Sequence, residues 1–355
     1  MDNSLLAGIR VVDLSQFLPG PYATHLMVSL GASVLKIEPP DGDPMREILR
    51  RTDQVHSDLY GIVNAGKTIV RLDLKSNADR GRMASILTNA DVLLDGYRPG
   101  VLARLGFGAD ELLAINPGLI ACSLSGYGQS GPYSQRAGHD VNYCSVAGLH
   151  ARHQGTDAPG NLFPLLADHV GGMQAVMAIL AALVRKARTG KGAQLDITLY
   201  ETLLSWQYAD QVPGFRSLLD GGAAYYNIYR SRDGRHYSLG AIEEKFWKDF
   251  CETSGNPDWI QRYHEPIPQL PLIGELKSWF SLRDSLGLDQ IFEGSNFCLE
   301  KVLLSGEVLG HGQARHRKLV NETEMKFPGW IDGGPVPSLG PLVEVNKDEP
   351  FDWES

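Results

Sequence analysis

Five short apolar runs in the first 130 residues constrain this chain more than any other feature. They are IRVVDL (9–14), SVLKIE (33–38), IVRLDL (69–74), DVLLDG (91–96) and LIACSLSGYG (119–128). Each is strand-sized and apolar almost throughout, the pattern of a strand covered on both faces. Helix-like segments at 22–31, 78–90 and 110–116 separate several of them. Strand–helix–strand alternation implies parallel pairing through right-handed crossovers. The expected class is therefore α/β, with a Rossmann-like open parallel sheet in a large domain. Pro19, Gly20 and Pro21 punctuate the first strand, and Pro39 and Pro40 the second. Residues 40–66 show no clean period and read as an excursion with one short helix. No GxGxxG follows the first strand, so NAD is not expected.

Residues 171–187 (GGMQAVMAILAALVRKA) read as a helix apolar almost all round, hence deeply buried. Pro213, Gly214, Gly221 and Gly222 mark a linker. A hairpin over 225–240 turns at Arg232-Asp233-Gly234, and a helix follows at 243–254. The expected layout is a large domain over 1–212, completed by 320–355, and a small central α+β domain over 225–310. Residues 213–224 and 311–319 are expected linkers.

The net charge of −9, with no Lys/Arg-rich run, argues against nucleic acid as a partner. Four scattered cysteines form no CxxC pair, so neither a zinc knuckle nor a disulfide framework is expected. The N-terminal stretch has no signal-peptide pattern. No uninterrupted apolar run reaches the roughly 18 residues of a membrane span, the nearest stopping at Arg185. A cytoplasmic location is the expectation.

Two groups suited to proton transfer stand out. His139 lies beside Gly138 and Asp140 in RAGHDVNY, and Asp168 precedes the 171–187 helix. On pattern alone Asp168 is a helix N-cap and His139 a structural histidine. On chemistry, an imidazole and a carboxyl on opposite faces of one carbon could exchange its proton. Alternatively Asp168 is a nucleophile and His139 an accessory. Amides at the helix start could hold an oxyanion, with Gly171 and Gly172 admitting a substrate carbonyl. His150 and His153 form an HxxH without a third ligand at sensible spacing, so no metal is expected. Lys75, Arg98 and Arg104 each follow a predicted strand, where an open α/β sheet binds ligands, and together suggest an anion.

Five segments carry a resemblance that spans nearly the whole chain: AGIRVVDLSQFLPGPYATHLMVSLGASVLKIEPPDGD, KTIVRLDLKS, DVLLDGYRPGVLARLGFG, LIACSLSGYGQSGPYSQRAGHDVNY and RTGKGAQLDITLYE. The chain resembles the class III CoA-transferase superfamily, which includes formyl-CoA transferase and α-methylacyl-CoA racemase. The resemblance implies a catalytic aspartate at Asp168, a nucleophile in the transferases and an acid/base in the racemases. The racemase branch adds a histidine in GHD-x-NY, matched by residues 138–143, and a glutamate after Gly-Ala-Ile, matched by Glu243, which would orient that histidine. The transferase branch tends to carry a glycine-rich loop there, and 238–248 has none.

The resemblance further implies CoA contacts at Leu72, Asp73, Leu74, Lys75, Gly96, Tyr97, Arg98, Arg104, Gly138, Asp140 and Tyr143. No cofactor is implied beyond the CoA moiety of an acyl-CoA thioester substrate. The implied assembly is an interlocked homodimer in which Glu243 meets the partner's active site. The basic residue common after the second strand is Pro39 here, and the segment FCLEKVLLSGEVLGHGQARHRKLV matches only loosely. The reading is a 2-methylacyl-CoA racemase working through an enolate. The alternatives are a CoA transferase forming an aspartyl-CoA thioester at Asp168, and a CoA-binding protein without turnover.

Overall fold

The computed structural model describes residues 4–152, 160–318, 324–349, 351 and 353. The chain divides into two compact units, Met1–Ser205 with Gly312–Ser355, and Trp206–His311. Residues 206–212, expected in the large domain, thus group with the second unit. A short helix, Gly312–Arg317, occupies most of the expected second linker.

The first unit runs β1 Arg10–Leu14, α1 Pro19–Ser29, β2 Ser33–Glu38, α2 Asp58–Val63, β3 Thr68–Arg71, α3 Asn77–Leu87, β4 Val92–Asp95, α4 Val101–Arg104, α5 Ala109–Ile115, β5 Ile120–Ser125, α6 Asp140–Val146, α7 Leu166–Thr189, β6 Ala193–Thr198 and α8 Leu199–Leu204. Its seven-stranded sheet has the order Val343–Glu344, β3, β2, β1, β4, β5, β6, and every pairing is parallel. The β3-β2-β1-β4-β5-β6 order is that of a doubly wound Rossmann sheet. The α/β class and the parallel sheet read from the sequence are therefore present. Val11, Val12, Leu35, Leu93 and Leu94 are buried because helices cover both faces, which is why the strands read as unbroken apolar runs.

Two helices begin earlier than their sequence suggests. Pro19 and Pro21 sit in the first turn of α1, where a missing N–H costs nothing, so they start the helix rather than precede it. Likewise α7 starts at Leu166, with Leu165 as N-cap, and ends at Gly190 in left-handed conformation. Asp168 is thus in the first turn of α7 and is not its N-cap.

Burial of α7 is one-sided, contrary to expectation. Ala167, Gly171, Ala175, Ile179 and Ala182 enter the core, while Met173, Met177 and Val184 are 51%, 58% and 54% exposed. Gly171 and Gly172 serve packing. A Cβ on Gly172 would stand 2.7 Å from the Pro19 carbonyl oxygen of α1, and one on Gly171 would strike Leu199. They bring α7 close to its neighbours, which fill the space that a substrate carbonyl was expected to use. α7 is long and apolar enough to cross a membrane by length and composition alone, yet its small-residue face is packed in an α/β core.

The second unit has a three-stranded antiparallel sheet, β7 Tyr226–Arg230, β8 His236–Gly240 and β9 Leu299–Lys301, backed by helices including Glu244–Thr253 and Leu270–Ser281. Its core is aromatic: Tyr229 stacks on Phe280 at 4.9 Å, and Phe250 on Trp247 at 5.6 Å.

Candidate active site

A cavity of about 450 Å³ opens where the order of the doubly wound sheet reverses, between the carboxyl ends of β1 and β4. Ser15 to Phe17 follow β1, Gly96 to Arg98 follow β4, and Leu124 to Tyr127 close β5; all line it. His139 and Asp168 line it as well. The fold therefore brings the two sequence candidates, remote in the chain, to one space of ligand size.

Local chemistry explains how each is placed. His139 is the N-cap of α6; its N–H donates to Asn142 Oδ1 at 3.0 Å, and the Asn142 N–H donates back to the His139 carbonyl at 2.8 Å. The Tyr143 hydroxyl donates to the Gly138 carbonyl at 2.5 Å and closes the loop ahead of the histidine. Gly138 is required there, because a Cβ would stand 2.8 Å from the Tyr143 ring. In GHDVNY, then, the glycine, asparagine and tyrosine form the mount for the histidine.

The carboxyl of Asp168 is pushed up to about 7, first by burial and then by the neighbouring Asp140 carboxylate. Asp140 itself is buried and its Oδ1 accepts the Asp168 N–H at 3.2 Å. A CoA contact was expected of it; it does not line the cavity, and it acts on Asp168 as a like charge. That bond also occupies one of the amides expected to be free at the α7 start. The Tyr143 hydroxyl is pushed up to about 12 by burial, then by Asp168.

Of the expected CoA contacts, Gly96, Tyr97, Arg98, Gly138 and Tyr143 line the cavity. Leu72 and Leu74 are buried in the core beneath the sheet, so their side chains are not available to a ligand. Among the described residues, Asp73, Lys75 and Arg104 do not line the cavity; Lys75 and Arg104 are exposed beyond it. Glu243 is in the second unit, as N-cap of helix Glu244–Thr253.

Sequence reasoning missed Phe17, Tyr127 and Arg136, which also line the cavity. Tyr127 packs edge-on against Tyr143 at 5.2 Å, and Arg136 lies over the Tyr133 ring at 3.9 Å. Among the described residues no group of three or more His, Cys, Asp or Glu could hold a metal. His150 bonds to the carbonyls of Gly160 and Val141, and His153 lies outside the described residues.

Residues 6–346 match the family model of CoA-transferase family III. The chain belongs to that family. Human alpha-methylacyl-CoA racemase is 30% identical to this family III chain over 98% of it and 90% of the relative. Human succinyl-CoA:glutarate CoA-transferase is also 30% identical, over 96% of the chain and 80% of the relative. A crystal structure of Rv3272 from M. tuberculosis superposes with a TM-score of 0.84 at 25% identity, covering 97% of both chains. Family III thus places the chain among enzymes named for isomerase and for transferase chemistry.

Proposed function

We propose that this family III enzyme is a 2-methylacyl-CoA racemase that exchanges the α-proton of an acyl-CoA thioester between His139 and Asp168. The observation that carries the reading is the Asp168 carboxyl, held near pH 7 in the same cavity as an imidazole. A nucleophilic aspartate needs to be ionised. A carboxyl that titrates near neutrality is present both as acid and as carboxylate, which suits a group that delivers and takes back a proton. His139 removes the α-proton on one face while Asp168 protonates the other, and the roles reverse in the opposite direction. The thioester α-hydrogen is far less acidic than either group, so the enolate needs stabilisation; the positive end of α7 lies at the site and supplies part of it. The CoA phosphates run past Arg98 toward Lys75 and Arg104.

The enzyme works in the cytoplasm as an interlocked homodimer, with Glu243 of the second copy orienting His139. The exposed apolar residues Met173, Met177 and Val184 on α7 support a partner surface. Sedimentation velocity at micromolar concentration should give a dimer; a monomer there counts against this assembly.

A second reading, CoA transfer through an aspartyl-CoA thioester at Asp168, is supported by the equal identity to a transferase. One experiment separates the two. Incubating one epimer of a 2-methylacyl-CoA in deuterated water should place deuterium at the α-carbon, and His139→Ala should abolish this. A CoA adduct on Asp168 by mass, without deuterium uptake, would reject the racemase.

A further inference from the structure

We infer that Phe17 is a positioning residue that fixes the imidazole of His139, an inference that takes the proposed proton transfer as its frame. Phe17 has φ 61°, a left-handed backbone that a residue with a Cβ seldom adopts. Such strain persists only where the surroundings over-determine it, and it gathers at functional sites.

The surroundings here are a set of buried charges. Asp43 Oδ1 accepts the Phe17 N–H at 3.2 Å and the Met45 N–H at 2.9 Å. Asp43 pairs with Lys36 at 3.1 Å, both without solvent exposure of their side chains. The Lys36 ammonium donates to the Ser15 carbonyl at 2.6 Å, and Asp13 accepts the Ser15 N–H at 2.9 Å. The loop between β1 and α1 is thus clamped ahead of Phe17 and at it.

The product of this clamp is the direction of one ring. The Phe17 ring stands at 81° to the His139 ring with centroids 5.7 Å apart, and both line the cavity. His139 is otherwise exposed at the start of a short helix. An edge-to-face contact is directional and requires neither imidazole nitrogen as donor or acceptor. It therefore holds the ring in one orientation whether the histidine carries one proton or two. A carboxylate such as the Glu243 proposed above accepts an imidazole N–H in either state but holds the charged ring more tightly than the neutral one. A base that must accept and return a proton in each turnover gains from a support indifferent to its charge.

Two substitutions separate the ring from the backbone. Phe17→Gly suits positive φ and removes the ring, while Phe17→Tyr keeps the ring. In the full-length chain, kcat for α-proton exchange should fall about 10- to 100-fold in Phe17→Gly with KM within about two-fold, as expected when a reacting group loses its orientation. Phe17→Tyr should stay within about three-fold of wild type. In histidine-labelled protein, the imidazole C–H signals of His139, assigned through His139→Gln, should move in Phe17→Gly as the phenyl ring current is lost. Wild-type kcat in Phe17→Gly, or unmoved His139 signals, overturns the inference. If the wild-type enzyme exchanges no α-proton, the racemase reading fails, and the magnetic-resonance arm alone still decides whether Phe17 holds the ring.

Discussion

Asp13 and Asp168 are two carboxyls drawn out of water in the same unit, and their proton affinities move in opposite directions. Burial alone would raise both. At Asp13, however, Lys36 and Lys67, with the hydroxyls of Ser15 and Thr24, reverse that and hold the carboxyl below its ordinary range. At Asp168 no cation compensates among the described residues, and Asp140 adds a second negative charge. One is a fixed anion that organises backbone; the other is an acid able to give up its proton near neutrality. Depth of burial does not tell scaffold from site here; the sign of the neighbouring charge does.

The contrast breaks most sharply at Asp13. Asp13→Ala takes from buried Lys67 its carboxylate partner and leaves Lys36 with Asp43 alone, and removing one member of a buried ionic set costs about 3–5 kcal/mol. Denaturant titration should show a loss of that size; a loss under about 1 kcal/mol would mean the network is not holding the loop.

Asp140→Asn tests the other carboxyl. It keeps an oxygen for the Asp168 N–H and removes the like charge. Asp168 should then titrate below pH 7, and the rate in the direction where it donates should decline at lower pH. A displacement of about one pH unit corresponds to about 1.4 kcal/mol. An unmoved profile would leave burial as the whole cause.

The smallest effect is on stability. The folded Asp168 titrates near 7 against an ordinary 3.8, so it keeps its proton where the unfolded chain has lost it. Its contribution is therefore full below about pH 4, falls as pH rises toward 7 and then levels off. Asp168→Asn removes this dependence. After discounting for partial exposure, it should be about 1 kcal/mol more stable than wild type at pH 7.5, a thermal shift of about 2–4 °C, with the gap closing near pH 4. A constant gap across that range would contradict a raised Asp168.

Much of the scaffold was legible because the sheet is covered on both faces, so its strands announce themselves as apolar runs such as VVDL and VLLD. Helix starts were less so. Leu165 caps α7 without a side-chain hydrogen bond, which leaves no sequence signature, and Asp168 just downstream imitates one. The glycines at 171 and 172 read as openings for substrate but serve close helix packing, a distinction that depends on what lies opposite. His139 and Asp168 could be named from their residue types and their motif, whereas Asp140 as a charge behind Asp168 could not. Nor could Phe17, since a phenylalanine at positive φ contradicts local preference and is set by residues up to 26 positions away.

α7 carries its acid in the first turn of a rod that glycine contacts lock onto its neighbours. The backbone that bears the carboxyl is fixed, so what alters its behaviour acts through what surrounds it. Under the proposed reading, admitting water or retiring the charge behind it would turn the proton donor into an attacking oxygen at the same address. On such a mount, one reaction can give way to another by a change of weather rather than of architecture.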